Sequence, residues 1–203
     1  MKAKEISGVP RQKRGGFHDT ESILQLQSPQ ETDEKFKIVK RRLLAVNQWQ
    51  YYAGDGSAEF KLCNQNAEII ESSPKIGNYI RINLSPSYAE KEDEYHWVII
   101  TDVIEVNTEK YQKVLIECRP SKHPQNARNA EIEHFFSALA STTFIIDKEK
   151  NTIRTSVHGR NETPNFNTSF AKKVKQILIG SRAILKMSKN QWQLLCDGLL
   201  KYD

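Results

Sequence analysis

Apolar residues recur along this chain at two different periods. From position 58 to 118 they alternate: Ala58, Phe60 and Leu62, then, past the polar turn Asn64-Gln65-Asn66, Ile80, Ile82 and Leu84. A period of two places such residues on one face of half-buried antiparallel strands. Residues 97–106 make the strongest strand. Residues 111–118 follow across the turn Asn107-Thr108-Glu109-Lys110 with Val114, Ile116 and Cys118 on one side, which reads as a hairpin. Residues 142–146 and 152–157 flank the polar run 147–151 as a second hairpin.

Both flanks of this region follow a helical period. Residues 22–27 make a short first strand, and Ser28-Pro29-Gln30-Glu31 then supplies a serine N-cap, a proline in the first turn and a glutamate that closes a capping box. Phe36, Val39, Leu43 and Val46 recur at helical spacing among Lys35, Lys37, Lys40, Arg41 and Arg42, an amphipathic helix running to about Tyr52. Ala53-Gly54-Asp55-Gly56 stops it. A looser stretch, 120–129, leads into a short helix over 131–139. Residues 159–164 end the sheet, and Phe166, Phe170, Val174, Ile177, Ser181, Ile184 and Leu185 then share one side of a long helix. A second capping box, Ser188-Lys189-Asn190-Gln191, restarts a shorter helix carrying Trp192, Leu195 and Leu199.

This order, a strand, a helix entered through Ser28-Pro29-x-Glu31, an antiparallel run and a long C-terminal helix, resembles the helix-grip arrangement of START-like proteins and polyketide cyclases over residues 22–186. The resemblance implies a curved sheet wrapped round the C-terminal helix, with a cavity for an apolar ligand between them. Seven candidate strands follow the first helix, one more than that family usually shows, and the helix near 131–139 has no counterpart in it. The expected fold class is α+β: a curved antiparallel sheet packed against a long C-terminal helix, with an N-terminal amphipathic helix. The alternative is a small antiparallel barrel flanked by helices.

At 203 residues and 38% hydrophobic content the chain can bury a core. Lys+Arg 30 against Asp+Glu 25 gives a net charge of +5, which suggests a polyanionic partner. Residues 1–16 carry Lys2, Lys4, Arg11, Lys13 and Arg14 against Glu5 alone, a charge of +4, and with Gly8, Pro10, Gly15 and Gly16 they read as a flexible arm. Residues 17–165 hold 18 basic and 22 acidic side chains, and residues 166–203 hold 7 and 2. The body, 17–203, is a single domain whose sheet region is mildly acidic. Its basic excess lies on the C-terminal segment, where Lys175, Arg182, Lys186 and Lys189 share a helical sector. Contact with nucleic acid through the arm and that sector is one possible function class.

No uninterrupted apolar run exceeds four residues, Trp97-Val98-Ile99-Ile100 being one, so no membrane insertion is expected. No apolar stretch follows the basic residues near Met1, so a cytoplasmic location is expected. Cys63, Cys118 and Cys196 are an odd number, widely spaced, and read as reduced, partly buried thiols. No metal set and no cofactor motif occurs, so neither a metal nor a cofactor is expected. The oligomeric state is not legible.

The residues that could carry chemistry are few. Asp102 alternates with Val98, Ile100, Ile104 and Val106, and a carboxylate on an apolar face can serve as an acid; the competing reading turns Trp97, Ile99 and Val103 to the core and Asp102 to water. His158-Gly159-Arg160-Asn161-Glu162-Thr163-Pro164-Asn165 gathers an imidazole, a guanidinium and a carboxylate at a strand end. The competing reading is an exposed strand-to-helix turn, with His158 on the polar face beside Arg154 and Ser156. The leading expectation is a small apolar ligand bound in a cavity lined by Phe60, Trp97 and Phe170, with Asp102, His158, Arg160 and Glu162 as polar candidates. A hydrolase- or cyclase-like enzyme built from the same polar residues is the third class, and it requires them to converge on one cleft.

Overall fold

The computed structural model describes residues 2–54, 57–83, 95–125, 132–165 and 181–201, the side chains of 181–189 excepted. Its elements in chain order are β1 (Gly16–Gln25), α1 (Pro29–Leu44), a 3-10 turn (Val46–Gln48), α2 (Trp49–Ala53), β2 (Glu59–Cys63), β3 (Tyr79–Asn83), β4 (His96–Asn107), β5 (Tyr111–Pro120), β6 (Ser141–Glu149), β7 (Thr152–Glu162) and α3 (Ser181–Leu200). The strands form one curved antiparallel sheet in the order β1-β7-β6-β5-β4-β3-β2. Among the described residues β1 and β2 do not pair, so the sheet is open and the barrel alternative is excluded. Among the described residues six strands follow α1.

The serine half of the capping box forms as the sequence predicts, while Glu31 reaches one residue past the N-cap. Ser28 Oγ accepts the Glu31 amide at 3.2 Å, and Glu31 Oε2 accepts the Gln27 amide at 3.2 Å. The helix stops earlier than predicted, at Ala45, whose ψ of 64° is not helical. Asn47 accounts for the break: its side chain accepts the Leu62 amide at 2.7 Å and donates to the Ile70 carbonyl at 3.0 Å, tying the turn to β2. The resulting bend carries Trp49 fully inside, where its indole N–H donates to the Leu43 carbonyl at 2.9 Å. Two of the basic residues assigned to the polar face of α1 are also buried. Lys35 donates to the Lys201 carbonyl, and Arg42 to the Leu199 and Lys201 carbonyls, so both complement the carbonyl end of α3.

The inner face of the sheet meets α1, α2 and α3 in one apolar core that includes Phe60, Ile80, Val98, Ile116, Phe144 and Val157 from the strands and Val39, Trp49, Trp192 and Leu195 from the helices. The predicted restart of the C-terminal helix at Ser188 does not occur; α3 is continuous through it. Gly198 sets its approach to α2, because a Cβ there would lie 2.1 Å from the Tyr52 carbonyl oxygen. Thr155 of β7 donates to the Cys196 carbonyl, and Gln191 accepts the Ala58 amide.

The outer face carries a second buried layer. Leu115 and Ile145 are inaccessible although they lie opposite the helices, and residues 2–16 run across this side. The glycine and charge content predicts a flexible arm; in the structure the arm is docked through its backbone. A Cβ on Gly8 would lie 2.8 Å from Leu115 Cδ1, and Lys113 Nζ donates to the Ser7 carbonyl. Asn161, at φ 55°, accepts the Lys13 and Arg14 amides and donates to the Arg11 carbonyl. Short side-chain bonds to main chain of this kind do not show in composition, which is why the arm reads as loose.

Three further sequence expectations change. β1 begins at Gly16 rather than Ser22, because its polar residues pair in register with β7, Asp19 opposite His158 and His18 opposite Gly159. The predicted helix at 131–139 is irregular over its described part, residues 132–139. Its backbone is used by neighbours instead: Trp97 donates to the Glu133 carbonyl, Glu133 to the Ser121 carbonyl and Asn165 to the Phe135 carbonyl. Finally, β7 runs on to Glu162, past the point where the glycine, asparagines and proline predict a turn.

Candidate functional site

The inner core contains a cavity of about 30 Å³ between the sheet and α3. Trp49, Phe60, Phe144 and Trp192 wall it, and His134, Phe135 and Phe136 are also part of its lining. The four wall rings are in mutual contact, with centroid separations of 4.7 Å for Trp49–Phe144, 5.3 Å for Trp49–Phe60, 5.5 Å for Phe144–Trp192 and 6.0 Å for Phe60–Trp192. Each ring comes from a different element: α2, β2, β6 and α3.

Glu162 is the one carboxylate among the described lining residues. Alternation from His158 would set it on the outer face with Arg160. The left-handed conformation of Asn161, at φ 55°, breaks the alternation and returns Glu162 to the inner face beside Gly159. There His18 Nδ1 donates to Glu162 Oε1 at 2.8 Å, both side chains being 2% exposed. The His18 ring stacks on Trp192 at 6.4 Å and an interplanar angle of 10°. A Cβ on residue 159 would lie 2.2 Å from Glu162 Oε1 and 2.3 Å from the His18 ring, so the pair needs the glycine. Glu162 Oε2 and His18 Nε2 are buried without a hydrogen-bond partner among the described residues.

A separate polar network lies on the outer face under the arm. Asp19 Oδ1 accepts from His158 Nδ1 at 2.7 Å and from the Arg160 guanidinium at 2.6 Å, and Asp19 Oδ2 accepts the Lys4 amide at 3.1 Å. Arg160 also donates to the Lys4, His18 and Gly159 carbonyls. Burial alone would raise the Asp19 pKa, but the bonds from the Lys4 amide, Arg160 and His158 outweigh it and hold the carboxyl below its ordinary range. Burial lowers the His158 pKa despite Asp19. Ser156 Oγ lies 3.0 Å from His158 Nε2, which completes the hydroxyl–imidazole–carboxylate order of a nucleophilic relay. Ser156 and His158 are nevertheless buried, and Asp19 is committed to the guanidinium and the arm. The network fastens the arm.

The candidates read from the sequence therefore separate. Phe60 and Glu162 line the cavity. Trp97 does not: it is buried on the outer side, edge-on to His123 at 4.7 Å. His158 and Arg160 are buried on the face opposite Glu162, which replaces the exposed-turn reading. Asp102 satisfies neither alternative, because a register shift between Ile100 and Asp102 brings Ile100 and Val103 into the same core and leaves Asp102 half-buried opposite Glu117, outside the cavity. Phe170 and Lys175 lie outside the described residues, as do the side chains of Arg182, Lys186 and Lys189. The convergence on one cleft that the enzyme reading requires does not occur for Asp102, His158, Arg160 and Glu162.

Sequence reasoning did not select Trp49, Phe144, Trp192 and His18 for the site. Of the three aromatic residues only Trp192 stood out, as an apolar position of the C-terminal helix, and which apolar residues face a cavity depends on helix placement. His18 carried no local signal, since its partner lies 144 positions away. Elsewhere on the lining, His134 Nδ1 accepts the Phe136 amide at 3.0 Å and the His96 ring lies 5.4 Å from that of His134. Burial pushes the His96 pKa down to about 3; it also drives that of His134 well below its ordinary value, with His96 adding to the effect.

No family model matches the chain, and no curated protein matches it. Among solved structures it is similar to the hypothetical protein jhp0584 from Helicobacter pylori, at 12% identity and a TM-score of 0.44, covering 97% of this chain and 98% of that one. It is also similar to Ara h 8.0201, at 13% identity and a TM-score of 0.35, covering 91% and 99%. A third similarity, to the di-domain ARO/CYC BexL from the BE-7585A biosynthetic pathway, has 8% identity and a TM-score of 0.38, covering 92% and 51%. With identities this low and TM-scores this small, the fold rests on the sheet order and helix placement described above. Among the described residues no helix is long and apolar enough to cross a membrane.

Proposed function

We propose that the protein binds a small, predominantly apolar ligand between the inner face of the sheet and the C-terminal helix. The supporting observation is an aromatic-walled cavity in the middle of the core that retains a buried carboxylate, Glu162, on its wall. Ligand sites combine these two elements, an apolar surround and a few fixed polar groups. At about 30 Å³ the cavity has room for one water-sized group. A larger ligand must displace a wall, and among the aromatic lining residues Phe135 is partly exposed while Trp49, Phe60, Phe136, Phe144 and Trp192 are buried.

Native mass spectrometry of protein purified from cells, together with melting shifts in a size series of apolar probes (benzene, indole, naphthalene), tests this reading. Trp49 and Trp192 line the cavity whereas Trp97 does not, so intrinsic fluorescence also reports occupancy. Binding predicts a mass adduct or a saturable melting shift, and Phe144→Trp, which fills the cavity, should abolish it. No adduct and no saturable shift with any probe would overturn the proposal.

A further inference from the structure

Resting on the pocket proposed above, the geometry points to the chemistry of its polar end: we propose that the ligand presents an ammonium group to Glu162 Oε2. Of the two carboxylate oxygens, Oε1 is engaged by His18 at 2.8 Å, and Oε2 is buried with no partner among the described residues. Buried polar atoms are almost always hydrogen-bonded, so this acceptor calls for a donor from whatever occupies the cavity. A second acceptor there would be repelled.

The walls select the kind of donor. Rings of Trp49, Phe60, Phe144 and Trp192 surround the space, and the negative potential of aromatic faces favours a cation over a neutral group of equal size. A carboxylate on the same wall adds a charge-assisted hydrogen bond, stronger than one to a neutral donor. His18 takes Oε1 and leaves Oε2 open, and the Arg160 guanidinium is on the opposite face of the sheet, bonded to Asp19 and three carbonyls, so it does not reach Glu162 from within the cavity. The size also fits: about 30 Å³ is the share of one water molecule, which an –NH3+ head matches while its hydrocarbon portion follows past Phe135.

The test compares n-butylammonium with 1-butanol, which differ little in shape, by fluorescence titration and melting shift of the full chain. The ammonium should bind at least about tenfold more tightly than the alcohol. Glu162→Gln should remove most of that preference while the alcohol still binds. Phe60→Leu, which keeps the carboxylate and deletes one ring face, should lower ammonium affinity more than alcohol affinity and covers the case in which Glu162→Gln does not fold. Equal or tighter binding of the alcohol to the wild-type protein would overturn the cation assignment and leave the pocket intact. The same holds if neither binds while an aromatic probe does. Failure of every probe would overturn the pocket itself.

Discussion

His96 offers the sharpest quantitative prediction. It is buried, its ring 5.4 Å from that of His134 and 5.0 Å from that of Phe135, two residues that line the cavity. Burial lowers its pKa from the ordinary 6.5 to about 3. Because the folded value is the lower one, the unfolded chain takes up the proton first. The contribution to stability is therefore complete above about pH 6.5 and is lost progressively as pH falls toward the folded value. For one group with these two values, the loss between about pH 7 and about pH 5 is about 2 kcal/mol. His134, lowered by burial and then by His96, acts in the same direction. Urea unfolding at those two pH values should show a net loss in the wild-type protein, reduced by Asp147, whose burial-raised pKa acts in the opposite direction. His96→Phe removes the titrating group and keeps a ring against His134 and Phe135, so its loss should be smaller by about 2 kcal/mol, whatever its stability near neutral pH. An equal loss in the two proteins would refute the reasoning. So would an NMR titration in which the folded-state His96 ring protonates near pH 6.5.

Three other outcomes follow from the packing. Asp19→Asn removes the charge that Arg160 and His158 share; because Arg160 keeps three carbonyl acceptors, the cost should lie near the low end of a broken buried pair, about 3 kcal/mol, with faster hydrogen exchange of the arm amides. Unchanged exchange over residues 2–16 would show that the network does not hold the arm. Gly198→Ala forces a methyl against the Tyr52 carbonyl and should lower stability by about 1–3 kcal/mol in thermal melts, where a neutral result would mean that α2 and α3 can separate without cost. Cys63, Cys118 and Cys196 are buried thiols, and burial pushes Cys196 up to about 12. Ellman's reagent should therefore react slowly with the native protein and fully in denaturant; a rapid native reaction would mean that the core is open.

The main outline was legible locally. The Ser28 capping box, the period-two alternation and the two hairpin turns each depend on residues near one another in the chain, and each produced the element it predicts. Legibility failed where a distant partner overrode the local pattern. The Asn47 side chain, bonded to β2, ended α1 early, and register with β7 extended β1 back over polar residues that alone would not specify a strand. At Asn161 a single left-handed residue moved Glu162 from the face of Arg160 to the face of His18. Alternation had no means of anticipating that reversal, because the arm atoms that Asn161 holds lie about 150 positions away.

The sequence by itself determined the α+β class, the antiparallel succession of strands and the helical C-terminus, since these follow from side-chain period and turn chemistry within short windows, whereas the openness of the sheet came from the strand order. It also located the basic excess at the two ends of the chain. Only the tertiary structure decided that the basic arm is docked, that Lys35 and Arg42 serve the end of α3, that Trp97 lies outside the cavity, and that Glu162 lines it on the face opposite His158 and Arg160. Such outcomes depend on which sheet face the helices cover and on hydrogen bonds between residues more than a hundred positions apart. The period of a strand distinguishes its two faces but does not say which one will be inside.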